Sequence, residues 1–288
     1  MIPREFDYHA PRSIPDALGL LAQFGDEAKL LAGGHSLLPM MKMRFAAPSH
    51  LDDLGKIAEL RGICEDRGTL VIGAMTTEND VIWSKVIQEK CPLLVEGARQ
   101  ISDPQVRYKG TLGGDISHGD PANDHPALML ALGASFVLKG PSGERTVPAD
   151  GFFLGLYETA LKPGEILTSI RIPVPAAGTG YCYAKLKRKT GDFATAAAAV
   201  LLRMKGDTVQ EVSIALTNVA PTALKAKLSE SALRGKALGD ATMKDAANLA
   251  MGICDPVGDQ RGDAEYKTAM AGEMEQKALR TAYARAAR

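Results

Sequence analysis

The chain lacks the marks of several large protein classes. Its four cysteines, Cys64, Cys91, Cys182 and Cys254, are scattered and form no Cys-x-x-Cys pair. That excludes an evident iron–sulfur or zinc framework on this chain, and free cysteines without an export signal fit the cytoplasm. The histidines His9, His35, His50, His118 and His125 lack metal-ligand spacing, and no His-Glu-x-x-His occurs. His9 and His50 read as structural or surface residues. The longest apolar run, Phe193 to Leu202, is too short to span a bilayer and contains Thr195. The opening MIPREFDYHAP has mixed charge and no apolar core, so no signal peptide is expected there. Excess charge is missing too: Lys+Arg and Asp+Glu both number 34. No sequence-wide basic field exists to draw nucleic acid or an anionic membrane. A chain near zero net charge is prone to association, which suits a subunit of something larger. Also absent are Gly-x-Gly-x-x-Gly and a glycine loop followed by Gly-Lys-Ser/Thr, so neither a Rossmann turn nor a P-loop is present. Ser36 is followed by Leu37 and Leu38, which rules out a nucleophile elbow. There is no internal repeat and no low-complexity tract.

What is present is an ordinary globular composition: 288 residues, 45% hydrophobic and 24% charged, enough for two or three modest domains. Ser13-Ile14-Pro15-Asp16 opens a helix whose residues Ile14, Ala17, Leu18, Leu21 and Phe24 share a face, and Gly25 ends it. Strands are expected at 29–32 and 50–54, so the first unit spans residues 1–54. Short strands at 62–66 and 69–73, a helix from Thr77 and another over 86–101 broken near Pro92 follow. A helix start at 126–132, strands at 135–139 and 144–147 around a hairpin turn, and a strand at 166–172 complete a second unit, 55–176. Pro173-Val174-Pro175-Ala176-Ala177-Gly178-Thr179-Gly180 reads as a linker. The third unit, 177–288, is expected to hold three antiparallel strands (181–187, 196–204 and 209–217) and two or three helices, the last over 264–287. The fold class is α+β.

Two glycine-rich stretches stand out. Ala32-Gly33-Gly34-His35-Ser36 follows the apolar pair Leu30-Leu31 and precedes a helix-like run, the context of strand, glycine turn and helix start that favours a phosphate. RYKGTLGGDISHGDPANDHP, from Arg107 to Pro126, fits no helix or strand period and reads as an ordered loop. Its Gly110, Gly113 and Gly114 offer positive φ and bare N–H groups, and Asp115, Asp120 and Asp124 follow. Either pair alone is as readily a plain turn. Together they can hold the two phosphates of one dinucleotide from opposite sides.

AGGHSLLPMMKMR, QVRYKGTLGGD, KLKRKTGDFATAAAAV and the tail AEYKTAMAGEMEQKAL resemble the FAD-binding medium subunits of the molybdenum hydroxylases over the whole chain. GDPANDHPAL and KRKTGDFATA point to the carbon monoxide dehydrogenase branch. The resemblance implies a two-part FAD-binding domain of the vanillyl-alcohol-oxidase type, then a C-terminal domain of a three-stranded antiparallel sheet with helices. It implies non-covalent FAD, wrapped on one side of the pyrophosphate by Ala32, Gly33, Gly34, His35 and Ser36. Thr111, Leu112, Gly113, Gly114 and Asp115 would wrap the other side. The family usually has Asn where this chain has Asp115; a carboxylate is repelled by phosphate, so Asp115 is expected to turn to a ribityl or backbone donor. Asp124 matches a ribityl-binding carboxylate, or else caps the helix after Pro126. Leu167 matches an apolar position against the flavin. Lys185 and Lys187, on one strand face, place positive charge near the ring's carbonyl edge, or form a solvated basic strand. Phe193 covers the isoalloxazine, or belongs to the core.

The implied task is electron transfer. FAD would receive electrons from iron–sulfur clusters of a small partner subunit and pass them to an external acceptor such as a quinone. A large molybdenum subunit, with copper in the carbon monoxide branch, would do the oxidation, in a dimer of heterotrimers. The place implied is the cytoplasm, with a peripheral position at the inner face of the membrane as a variant. A sibling xanthine- or nicotine-type subunit, a self-contained FAD oxidase and a non-flavin binding module are the alternatives. The oxidase needs an acid/base pair over the flavin, and a visible spectrum disposes of the binding module.

Overall fold

The computed structural model describes residues 2–286. Its first sheet is small and parallel, with strands β1 (Asp7–His9), β2 (Ala28–Leu31) and β3 (His50–Asp53) in the order β1-β3-β2. Helix α1 (Ile14–Phe24) starts where the Ser13 hydroxyl accepts the Asp16 N–H at 3.2 Å, and stops at Gly25, whose φ is +52°. Its inner face packs with Leu54, Ile57 and Leu60. Helix α2 (Leu37–Lys42) links β2 to β3. Strand β1 was not foreseen, because three residues carry no readable period.

The second sheet is antiparallel. It comprises β4 (Ile63–Asp66), β5 (Thr69–Gly73), β6 (Ser135–Gly140), β7 (Gly143–Pro148) and β10 (Ile166–Pro173), ordered β4-β5-β10-β6-β7. The pair β8 (Phe153–Gly155) and β9 (Glu158–Thr159) forms a hairpin beside it. Between β5 and β6 run α3 (Glu78–Trp83), α4 (Lys85–Lys90), α5 (Pro92–Ala98), α6 (Pro104–Arg107), α7 (Leu112–His118) and α8 (Asp124–Leu132). Their starts follow local rules. Thr77 and Asp80 make a reciprocal capping box, Ser84 caps α4, and Pro92 and Pro104 open α5 and α6. The expectation of a loop from Arg107 to Pro126 is therefore corrected: three helical segments occupy much of it. Glycines at 113 and 114 mask α7 in propensity, yet tertiary contacts demand them there.

The third sheet holds β11 (Gly180–Leu186), β12 (Ala196–Lys205), β13 (Thr208–Thr217) and the two-residue β14 (Leu224–Lys225), antiparallel in that order. The short β14 adds an edge to the three strands expected. Helices α9 (Lys227–Leu233), α10 (Asp240–Met251) and α11 (Ala264–Arg285) cover one face. The alanines of β12 alternate. Ala196 and Ala198 join the core under these helices, while Ala197 and Ala199 join the core of the second unit. Small side chains on both faces let α8 lie against β12 and β13 while it also touches β10. Every residue of α8 is buried, so it is the central helix of the molecule. Among the described residues, no helix is long and apolar enough to cross a membrane.

Candidate functional site

The two glycine stretches meet. A Cβ on Gly33 would lie 2.7 Å from the Cα of Gly110 and nearer still to the Lys109 carbonyl, so only glycine allows this approach. A Cβ on Gly114 would lie 3.3 Å from the Cβ of Ala32. Gly113 presses on Ala74, where a Cβ would meet the carbonyl oxygen at 2.6 Å. Positive φ occurs in both stretches, but not at the glycine pair of the second: Gly34 has φ +77° and Gly119 φ +66°, while Gly113 and Gly114 are helical.

The two sides differ in what they offer. Among the described residues, the N–H groups of Gly33, Gly34, His35 and Ser36 find no backbone acceptor. Those of the second stretch are used within the protein. Leu112 donates to Thr76 O at 3.0 Å, Gly113 to Ala74 O at 2.9 Å and Asp115 to Thr111 O at 3.0 Å. Gly114 donates to the Thr111 hydroxyl at 3.2 Å. The expected second cradle of N–H groups is thus corrected: Leu112 to Asp115 form a wall, and Thr111 keeps its hydroxyl proton to donate. Leu112 is fully buried in the core.

A buried polar network lies behind that wall. Asp124 is the first residue of α8 and Asn123 takes the N-cap position, so the capping alternative for Asp124 fails. Its Oδ1 accepts the Tyr183 hydroxyl at 2.5 Å and its Oδ2 the Lys185 ammonium at 2.7 Å. Lys185 is 1% exposed at its side chain, which removes the reading of a solvated basic strand at that position. Lys187 turns toward the same region, its ammonium 3.5 Å from Gln100 O, and burial together with Lys185 lowers its pKa. Burial, with Asp124 beside it, raises the Tyr183 phenol well above its ordinary value. In parallel, His125 Nε2 lies 2.8 Å from Glu78 Oε2, both buried. Burial works to lower the His125 pKa, but Glu78, with Asp115 and Asp124 behind it, prevails and raises it to about 9.

Sequence reasoning missed Tyr183, Glu78 and His125. Tyr183 had a signal, since it sits two residues before Lys185 and so shares its strand face. Glu78 looks like any first-turn acid, and His125 meets it across a gap of 47 residues.

Two apolar candidates remain. Leu167, on β10, is 4% exposed and belongs to the core of the second unit. Phe193 is 45% exposed, so it is not a core residue, and the Arg261 guanidinium lies 5.4 Å from its ring centroid. Arg261 also binds Asp192 at 2.8 Å, and this bond, more than any other contact, holds the Asp192 pKa low.

Comparison with known proteins places this arrangement. The family model described as the FAD binding domain in molybdopterin dehydrogenase matches residues 4–175. The chain belongs to that family. A second model, the CO dehydrogenase flavoprotein C-terminal domain, matches residues 181–282. The chain is 60% identical to the carbon monoxide dehydrogenase medium chain of Hydrogenophaga pseudoflava over 287 residues, covering 100% of both. It is 52% identical to the medium chain from Afipia carboxidovorans, covering 99% of each. The solved carbon monoxide dehydrogenase of Hydrogenophaga pseudoflava that lacks the Mo-pyranopterin moiety superposes with a TM-score of 0.99, at 61% identity and full coverage of both chains.

For a member of this FAD-binding family, the seam fits the cofactor. Open N–H groups around Gly34 suit an anion, and the Thr111 hydroxyl faces the same work from the other side. The residues that could hold FAD lie on the two glycine stretches, with Lys185 of the third sheet behind them on Asp124.

Proposed function

We propose that this chain is the FAD-carrying electron-transfer subunit of a molybdenum hydroxylase, specifically of a carbon monoxide dehydrogenase. One observation carries the reading: the backbone contact of Gly33 with Lys109 and Gly110, which sets the open N–H groups of 33–36 against the Thr111 wall. The full-length likeness to carbon monoxide dehydrogenase medium chains supports it.

Ala32, Gly33, Gly34, His35 and Ser36 bind the pyrophosphate. Thr111, Leu112, Gly113, Gly114 and Asp115 close the opposite side by hydroxyl donation and close packing. Asp124, fixed by Tyr183 and Lys185, orients the ribityl chain. Leu167 and Phe193 exclude water from the ring, and Lys185 and Lys187 favour negative charge on it. FAD, when bound, supplies an electron carrier that accepts and releases electrons singly or in pairs. The units 1–54 and 55–176 hold the cofactor, and 177–288 supplies the lysines and Phe193.

Oxidation of carbon monoxide needs a metal centre that binds the gas and delivers oxygen. That centre, with molybdenum and copper, belongs to a large partner subunit, and the iron–sulfur clusters to a small one, in a dimer of heterotrimers. Electrons leave through FAD to an external acceptor such as a quinone, in the cytoplasm or at the inner face of the membrane. The experiment is native purification followed by acid precipitation. A yellow supernatant, with molybdenum, copper and iron on co-purifying chains, is expected. A colourless preparation, or a yellow pellet showing covalent flavin, contradicts the reading.

A further inference from the structure

The buried acids behind the glycine seam outnumber the bases. Glu78 on α3, Asp115 on α7 and Asp124 on α8 face one another, with His125 of α8 and Lys185 of β11 as the cations among them. Each cation is already engaged: His125 with Glu78 at 2.8 Å, and Lys185 with Asp124 at 2.7 Å. Asp120, in the turn after α7, adds negative charge and accepts the Ala122 N–H at 2.9 Å. Tyr183 of β11 stays a phenol, and burial lowers the pKa of His118, on the helix of Asp115 itself, so neither supplies a cation. Lys187 turns its ammonium to Gln100 O. Asp115 has no cation of its own.

Its surroundings match that count. Asp115 Oδ2 is sealed from solvent with no hydrogen-bond partner, while the residue as a whole keeps partial exposure. The carboxyl group therefore sits in the wall, one oxygen inside, next to the Gly114 that packs on Ala32. An ionised oxygen sealed without a donor is far costlier than a neutral one.

We propose that Asp115 stands as the neutral carboxylic acid and donates its proton in a hydrogen bond to an acceptor oxygen of the dinucleotide, so that the hold on FAD weakens as Asp115 ionises. This rests on the FAD reading above. A neutral donor removes the repulsion between a carboxylate and an anionic dinucleotide and turns the position into an attractive one. Burial pushes the Asp115 pKa to about 7, with His125 opposing and Glu78, Asp124 and Asp120 reinforcing. Working through the sign, the binding form is the protonated one, so affinity is full below that value and falls as pH rises through it.

The test titrates the full chain with FAD, by quenching of flavin fluorescence, between roughly pH 6 and pH 9. The expected dissociation constant rises by up to about tenfold per pH unit once Asp115 ionises. Asp115→Asn, which keeps a donor of the same shape, is expected to bind with an affinity that no longer varies this way. Infrared spectra of the two proteins without FAD supply a second readout. The wild-type minus Asp115→Asn difference spectrum is expected to show a protonated-carboxyl carbonyl band that fades with rising pH, the buried acid Glu275 being common to both proteins and cancelling. A flat wild-type profile, the same decline in Asp115→Asn, or no acid band in that difference spectrum overturns the proposal. Failure of both proteins to take up FAD at any pH overturns the FAD reading and the donor role with it. The infrared band then still decides the protonation state.

Discussion

Gly33 and Gly34 are neighbours and are glycine for different reasons. Gly34 needs its left-handed φ of +77°, whereas Gly33 needs room against Lys109 and Gly110. Their substitutions should separate. Gly33→Ala forces the two loops apart and disturbs the phosphate donors. Loss of two charge-assisted hydrogen bonds at roughly 1.5–3 kcal/mol each corresponds to roughly two to four decades of FAD affinity. Gly34→Ala keeps the loops in contact but strains the backbone by roughly 1–2 kcal/mol, beside a Leu38 side chain that must shift. Flavin content per chain and urea unfolding measure the two effects. A Gly33→Ala protein with full flavin and native stability would show that the seam is not the phosphate site.

At the scale of the element, α11 carries a buried acid. Glu275 is fully buried, and both its carboxyl oxygens lack partners. The nearby Ser229 hydroxyl is turned to Ala246 O at 2.6 Å. Burial raises the Glu275 pKa from 4.5 to about 7. The folded chain therefore binds more protons than the unfolded one, so this residue's effect on stability worsens as pH rises from 4.5 to about 7, and levels off above. The full effect is about 3 kcal/mol. Glu275→Gln is expected to be more stable than the wild type at pH 8 than at pH 5 by an amount of that order (about 2–4 kcal/mol by linkage). Urea curves at both pH values check it, and an equal difference at the two would contradict it. Helices and strands such as α1, α3 and β12 were legible because caps and alternation are local. Helix α7 was not, since its glycines answer to Ala74 and Ala32, residues distant in sequence. The paired loops were legible as motifs, but which of their N–H groups remained open was not: that depends on the segment from Ala74 to Thr76 lying alongside.

At the scale of the molecule, α8 and β11 tie the third sheet to the second unit. Tyr183 and Lys185 both end on Asp124, Glu96 Oε1 accepts the Tyr183 N–H at 2.7 Å, and Glu96 Oε2 takes Arg285 of α11 at 2.6 Å. Removing one partner of a buried ion pair costs more than removing one neutral hydrogen bond. Lys185→Met is thus expected to destabilise the full chain by roughly 3–5 kcal/mol, and Tyr183→Phe by roughly 1–3 kcal/mol. The reverse order in urea unfolding would mean that the lysine does not support Asp124. These ties were invisible in the sequence because their partners lie 59 and 61 residues apart.

The central claim is that this chain carries electrons but does not oxidise carbon monoxide. The direct measurement is the visible spectrum of its flavin under carbon monoxide without oxygen, first with the purified single chain and then with its metal-bearing partners added. The flavin of the single chain is expected to stay oxidised, and addition of the partners is expected to bleach it. Bleaching by carbon monoxide with the single chain, free of molybdenum, copper and iron, would contradict the account and make the chain a self-contained enzyme.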